Sequence, residues 1–136
     1  MFEVEFQTYW ADADAAGIVY FSNFFRSVEQ AEEELFRASG SNRQELLERN
    51  HVWMPRVEAF SKYVRPMRVG ARIRVQLRPR FKGTKTIRYE FDILEDASSE
   101  KLAEGYITVV CVDAARFKSV PVPDAIRSAV ATVNES

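Results

Sequence analysis

Residues 2–10, Phe2-Glu3-Val4-Glu5-Phe6-Gln7-Thr8-Tyr9-Trp10, alternate with a period of two. Phe2, Val4, Phe6 and Thr8 share one face, which predicts a half-buried strand. The small and polar run Ala11-Asp12-Ala13-Asp14-Ala15-Ala16-Gly17 follows and predicts a loop. From Ser22 to Ser39 the period changes. Phe21, Phe24, Phe25, Val28, Ala31, Leu35 and Phe36 recur at three- and four-residue spacing, the stripe of an amphipathic helix, with Ser22 as its N-cap and Gly40 as its stop. Ser41-Asn42-Arg43-Gln44 reads as a capping box opening a second, short helix through Arg49. After His51 the period returns to two. Val57–Tyr63 reads as a strand bounded by Pro66 and Gly70, and Ile73, Val75 and Leu77 alternate with Arg72, Arg74, Gln76 and Arg78. Gly83-Thr84 turns the chain into Ile87, Tyr89, Phe91 and Ile93, and Asp96–Ser99 turns it again. Leu102–Val112 reads as one long strand covered on both faces. Pro121 and Pro123 break the pattern before a C-terminal helix, Ala125–Val133, capped by Asp124. A long apolar-faced helix set apart from a meander of strands defines an α+β class, most simply with the sheet wrapped around the helix.

The chain has 136 residues, 46% hydrophobic and 29% charged, which suits one domain, 1–136, with a core large enough to need no staple. The single cysteine, Cys111, excludes an intramolecular disulfide. Cys111 and the single histidine, His51, are too few for a structural zinc site. Any histidine-based nucleophilic mechanism would have to use His51, which has no acid or nucleophile near it in sequence and reads as a surface residue. Cys111, in an apolar strand, reads as a small hydrophobe. The N-terminus is acidic and alternating, unlike a signal peptide, and the longest apolar run, Ile107–Val112, is interrupted by Thr108. No membrane association and a cytoplasmic location are the expectation.

Charge is uneven although the net charge is only −1. The first 50 residues hold ten acids and four bases, whereas Ala59–Tyr89 holds no acid and ten of the 19 bases. Such a block points to an anionic partner or to a solvated strand face, and the near-neutral total argues against a nucleic-acid binder.

The segment Tyr9-Trp10-Ala11-Asp12-Ala13-Asp14-Ala15-Ala16-Gly17-Ile18-Val19-Tyr20-Phe21-Ser22-Asn23-Phe24 carries the chemistry. Asp12, Asp14, Gly17, Val19 and Tyr20 match the Asp-x-Asp-x-x-Gly-x-Val-Tyr pattern of the 4-hydroxybenzoyl-CoA thioesterase family, which the segment resembles. Tyr63, Pro66 and Gly70 match that family's second strand and the bend after it. The resemblance implies a hotdog fold of about five antiparallel strands around a long helix, a homodimer or homotetramer with sites at subunit interfaces, and hydrolysis of an acyl-CoA without metal or cofactor. It implies that Asp14 is catalytic and that the Phe21 backbone N–H holds the oxyanion. Family members carry histidine or tyrosine at the Phe21 position, so phenylalanine keeps the backbone donor and loses any polar side-chain role.

The physics of the segment agrees. Thioester hydrolysis needs attack on the carbonyl carbon and a place for the charge on its oxygen. A helix N-terminus offers unpaired N–H groups, Gly17 permits a positive φ just ahead of it, and Asp14 can serve as nucleophile or as base on water. Asp12 reads as a residue that fixes the loop. The resemblance further implies Tyr20 at the substrate, and it puts Lys82 and Lys85, in the turn Arg80-Phe81-Lys82-Gly83-Thr84-Lys85, at the coenzyme A phosphates, with which lysine pairs well. Three rival readings stay open: a thioesterase of acyl carrier protein, a non-catalytic acyl-CoA-binding module, and a nucleic-acid-binding module using the arginine-rich face.

Overall fold

The N-terminal alternation forms strand β1, Phe2–Gln7, and stops three residues earlier than the pattern predicts. Thr8 is buried, with its hydroxyl 2.8 and 2.9 Å from the Arg68 and Ala71 carbonyls, so the chain leaves the sheet there. Trp10–Asp12 then forms a 3-10 turn, closed by the Asp12 carboxylate accepting the Tyr9 N–H at 2.9 Å. The computed structural model describes residues 1–19 and 21–134.

The helical stripe forms α1, Ser22–Ala38, which buries Phe24, Val28, Ala31, Leu35 and Phe36. Ser22 is the first helical residue and not the cap. Phe21 holds the N-cap position, already in helical conformation at φ −56° and ψ −34°, and its own side chain makes no capping hydrogen bond. Phe21 also lies off the core stripe and is exposed. The far end closes as predicted. Gly40 takes φ +84°, its N–H donates to the Arg37 carbonyl at 2.9 Å, and the Ser41 N–H donates to the Phe36 carbonyl at 3.0 Å. The next cap is shifted by one residue: Asn42, not Ser41, accepts the Glu45 N–H at 3.1 Å and opens α2, Arg43–Arg49. His51 follows α2, exposed and at φ +56°.

Six strands follow: β2 (Val52–Trp53), β3 (Arg56–Tyr63), β4 (Arg72–Lys82), β5 (Thr86–Glu95), β6 (Lys101–Val110) and β7 (Val112–Asp113). The long C-terminal strand of the sequence pattern is thus split at Cys111, whose N–H leaves the ladder to donate to the Lys85 carbonyl. It is buried on both faces at Leu102 and Ala103 and over Ile107–Val109, and only half-buried in between. β2 and β7, which pair with each other, were not apparent in the pattern. The last helix, α3, spans Asp124–Asn134. Asp124 lies inside its first turn, and the Pro123 carbonyl accepts the Ile126 and Arg127 N–H groups. No helix among the described residues is long and apolar enough to cross a membrane.

The main sheet is antiparallel in the order β1-β4-β5-β6-β3. Ile73, Val75, Leu77, Ile87, Tyr89, Phe91, Ile93, Ala103, Ile107 and Val109 join the apolar face of α1 in one core. Each large side chain so buried contributes about 1.5–3 kcal/mol. The basic run lies mostly outward, and its acids come from neighbouring strands and turns. Six of the ten bases are paired: Arg65 with Glu100, Arg72 with Glu5, Arg74 with Asp96, Arg78 with Asp92, Arg80 with Glu90 and Arg88 with Glu58. The Arg72 hydrogen bond holds the Glu5 carboxyl below its ordinary range. This is a solvated strand face on which most of the arginines are paired with acids of neighbouring strands and turns.

The two edges of the sheet differ in character. β1 presents Glu3 and Glu5 outward, which blunts that edge. β3 presents Val57, Phe60, Tyr63 and, just beyond it, Val64, each between 42% and 59% exposed. Gly105 lets β3 lie this close to β6, because a Cβ there would meet the Phe60 carbonyl oxygen at 1.9 Å.

Candidate active site

Asp14 and Gly17 sit in a tight loop between the 3-10 turn and α1. The Gly17 N–H donates to the Asp14 carbonyl at 3.1 Å, and Gly17 takes φ +78°, a conformation that favours glycine. The Asp14 N–H donates to the Ile18 carbonyl at 2.9 Å, and one Asp14 carboxylate oxygen accepts the Ala16 N–H at 2.8 Å. The Val19 N–H donates to the Met67 carbonyl at 2.7 Å and ties the loop to the segment after β3. Asp14 is left exposed at the mouth of a cleft of about 330 Å³, walled by Ile18, Phe21, Phe24, Tyr63, Val64 and Pro66. This volume lies at the lower end of the range for small-molecule sites.

The two aspartates line different cavities. Asp12 faces a second one, of about 300 Å³, between β1 and α1, together with Asn23 and Arg26. Its carboxylate accepts the Tyr9 N–H and lies 3.8 Å from the Arg26 guanidinium, which agrees with a loop-fixing part. Asn23 went unnoticed in the sequence. Its side-chain amide donates to the Asp12 carbonyl at 3.0 Å and ties the first turn of α1 to the aspartate loop. A short amide at that helix position is the one hint the sequence offers.

Phe21 closes the other side of the cleft. Its carbonyl accepts the Phe24 N–H and the Tyr63 hydroxyl, each at 3.2 Å. Its ring meets Tyr63 edge-on at 6.2 Å, and Phe24 meets Tyr63 edge-on at 4.9 Å. Tyr20 lies outside the described residues. Cys111 is buried, and desolvation pushes its thiol up, which disfavours the thiolate.

Lys82 and Lys85 do not join this cleft within one chain. They flank the β4–β5 turn, where Gly83 takes φ +72° and the Lys85 ammonium reaches the Ser119 hydroxyl at 3.4 Å. The cleft is at the other end of the sheet, where Tyr63 pairs with Ala103 and Ile73 with Glu95. The eleven residues of β4 separate the two ends, which is roughly 30 Å at about 3.3 Å per residue.

Residues 8–130 match the thioesterase-like superfamily. A 1,4-dihydroxy-2-naphthoyl-CoA hydrolase of Nostoc punctiforme is 33% identical over 117 residues, covering 85% of this chain and 76% of that protein. A protein of the same name from Thermosynechococcus vestitus is 26% identical over 116 residues, covering 85% of this chain and 79% of that protein. The crystal structure of a 1,4-dihydroxy-2-naphthoyl-CoA thioesterase from Synechocystis superposes with a TM-score of 0.90 at 26% identity, covering 96% of this chain and 95% of the other. The fold is that of the hotdog thioesterases.

Proposed function

We propose that this chain, which belongs to the thioesterase-like superfamily and is an acyl-CoA thioesterase, hydrolyses an aromatic acyl-CoA of the 1,4-dihydroxy-2-naphthoyl class with Asp14 as its catalytic carboxylate. The observation that carries this reading is the meeting of three things at one cleft: an exposed carboxylate, an apolar wall rich in aromatic rings, and the start of α1. The relatives' names support the substrate class. Phe21, Phe24 and Tyr63 supply edges and faces on which a fused ring can pack.

In this reading the thioester carbonyl lies between Asp14 and the start of α1. Asp14 attacks the carbonyl carbon, or takes a proton from a water that does so. The oxyanion that forms is held by the Phe21 N–H, at the positive end of the helix dipole. Collapse breaks the C–S bond and expels coenzyme A as thiolate, a leaving group that needs no strong general acid. In the nucleophilic route water then opens the acyl–Asp14 anhydride to give the carboxylic acid, and in the general-base route collapse gives the acid directly. Thiol release should be measured on a panel of 1,4-dihydroxy-2-naphthoyl-CoA, benzoyl-CoA, acetyl-CoA and palmitoyl-CoA. The aromatic pair should give kcat/KM about 100-fold above the others. Equal rates across the panel would defeat the aromatic assignment, and activity on the acyl carrier protein ester alone would move the carrier reading to the front.

The working unit in this proposal is a two-fold dimer through the β3 edges. Antiparallel pairing of β3 with its copy would cover Val57, Phe60, Tyr63 and Val64. It would also set the cleft end of one chain beside the lysine end of the other, so that Lys82 and Lys85 of the partner subunit face the phosphates of the bound substrate. The Lys82→Glu, Lys85→Glu double variant should raise KM about ten-fold at low salt with kcat retained, and added salt should narrow the difference. Co-refolding it with Asp14→Asn chains should restore low-KM turnover, because half of the sites in mixed dimers then join an intact Asp14 to intact lysines. No restoration would place the lysines outside the substrate's reach.

A further inference from the structure

We propose that Val19 sets the depth of the acyl pocket: its side chain is the partition between the Asp14 cleft and the cavity beside Asp12, and it limits the length of acyl group that is turned over. The inference rests on the thioesterase reading above and adds a specificity-determining residue to it. The cleft measures about 330 Å³ and the second cavity about 300 Å³. Among the described residues, Val19 is the one that lines both. The aspartate loop straddles the same boundary, with Asp14 on the cleft side and Asp12 on the other. Val19 and Phe24 are the fully buried walls of the cleft, whereas Phe21, Tyr63 and Val64 are exposed on this chain. An acyl group whose thioester lies at Asp14 and whose coenzyme A runs outward therefore has Val19 and Phe24 at its far end.

The partition is fixed from both sides. The Val19 N–H donates to the Met67 carbonyl at 2.7 Å, and Val19 pairs with Ala13 across the loop while Ile18 pairs with Arg68. A β-branched side chain on such a backbone has little rotamer freedom, so it does not swing aside to admit a longer chain. The space behind it is apolar at depth. Met67 and Ile73 are buried there and Phe6 half-buried, while Arg26 and Gln30 are exposed at the outer rim. The two buried hydroxyls of that wall are already bonded: Thr8 donates to the Arg68 carbonyl at 2.8 Å and Ser27 to the Phe24 carbonyl at 2.7 Å. An apolar chain passing Val19 would thus meet apolar neighbours and strand no buried hydroxyl. Loss of the two Val19 methyls would join the cavities and nearly double the space open to the acyl group. A single methylene in an apolar pocket already changes discrimination by about 10- to 200-fold.

Thiol release from decanoyl-CoA and benzoyl-CoA reads the effect directly. Val19→Ala should raise kcat/KM for decanoyl-CoA relative to benzoyl-CoA about ten-fold or more, through a gain on decanoyl-CoA. Its melting temperature should fall by roughly 5–10 °C, as for other truncations of a buried side chain. A purely structural part for Val19 would lower both substrates alike and leave their ratio unmoved. Val19→Ile runs the other way and keeps the test alive if Val19→Ala does not fold. It thickens the partition and should lower kcat/KM for 1,4-dihydroxy-2-naphthoyl-CoA relative to benzoyl-CoA about ten-fold. Native ratios in both variants, with native protein active and Asp14→Asn inactive, overturn the Val19 proposal and leave the thioesterase reading standing. A ratio raised in Val19→Ala only by lost benzoyl turnover overturns it too. A native protein that releases no thiol from any acyl-CoA overturns both.

Discussion

Asp14→Asn should lower kcat by about three orders of magnitude or more, equivalent to roughly 4 kcal/mol of lost transition-state stabilisation, while the fold stays intact. The substitution removes the charge and basicity of the group and little else. Asp14 is exposed, and its hydrogen bond from the Ala16 N–H at 2.8 Å can be accepted equally by an asparagine oxygen. The loop itself is closed by backbone bonds, Asp14 to Ile18 and Gly17 to Asp14, which the variant keeps. Melting temperature should therefore be unchanged within about 1 °C, and KM should move little. Asp12→Asn is the natural comparison, because Asp12 lines the other cavity. Its asparagine oxygen can still accept the Tyr9 N–H, and the long contact to exposed Arg26 is worth little. That variant should retain most of the activity. Thiol release by native and both variants, with thermal melts alongside, decides the matter. Native turnover in Asp14→Asn, or an equal loss in Asp12→Asn, would remove Asp14 from the chemistry. Single turnover in 18O-labelled water tests the nucleophilic route: label in the Asp14 carboxylate marks an anhydride that water opens at the Asp14 carbonyl, whereas label in the acid alone fits water attack on the thioester or an anhydride opened at the acyl carbonyl.

How much of this was legible in the sequence follows from how local each feature is. The Asp14 loop closes within a few residues and opens a helix whose apolar stripe is periodic, so both stood out. The alternating strands were legible because one face of the sheet is core and the other is solvent. The helix ends were legible only to within a residue, as Phe21 and Asn42 show, because caps depend on where the backbone turns. Thr8 looks like one more inward strand residue until its neighbours Arg68 and Ala71 are known. The basic run looked unpaired because its acids lie on β1, β3, β5 and the turns beyond, brought alongside by folding. The bond from Tyr63 to Phe21 and the separation of Lys82 and Lys85 from Asp14 both follow from the order β1-β4-β5-β6-β3. That order places the third strand of the chain outside the sixth, which no local pattern encodes.

The largest expected loss of stability comes from Glu32, a charged residue with no evident purpose in the helical pattern. It is 4% exposed on the inward side of α1, accepts a hydrogen bond from the Arg56 guanidinium and forms an ion pair with that of Arg43. Arg43, from α2, approaches at 3.3 Å, and Arg56, the first residue of β3, makes a closer contact. Arg56 also reaches Glu29 at 3.3 Å and the Met54 carbonyl at 3.3 Å. Burial works against the Arg56 charge, and Glu32 and Glu29 more than offset it, so its pKa is raised. The neighbouring Tyr89 phenol is fully buried and pushed well above its usual range by that burial, with the Glu32 charge adding to it. Glu32 thus joins α1, α2 and the start of β3 at a single carboxylate. Glu32→Ala leaves two partly buried cations without their shared anion, which should cost about 3 kcal/mol or more. For a chain of this size that is a fall in melting temperature of roughly 10 °C. Glu32→Gln keeps the shape and a hydrogen-bond acceptor and should lose about half as much. In a double-mutant cycle, Glu32→Ala with Arg56→Met should lose less than the two single changes summed, because the second change removes one of the stranded charges. Additive losses would mean that the pair is not coupled. A melt of Glu32→Ala within about 2 °C of native would mean that α1 and β3 are held by apolar packing alone. Since Tyr63 ends the strand that Arg56 begins, the same melts should be read beside kcat. A lower melting temperature with unchanged kcat at 25 °C would confine the cluster to stability.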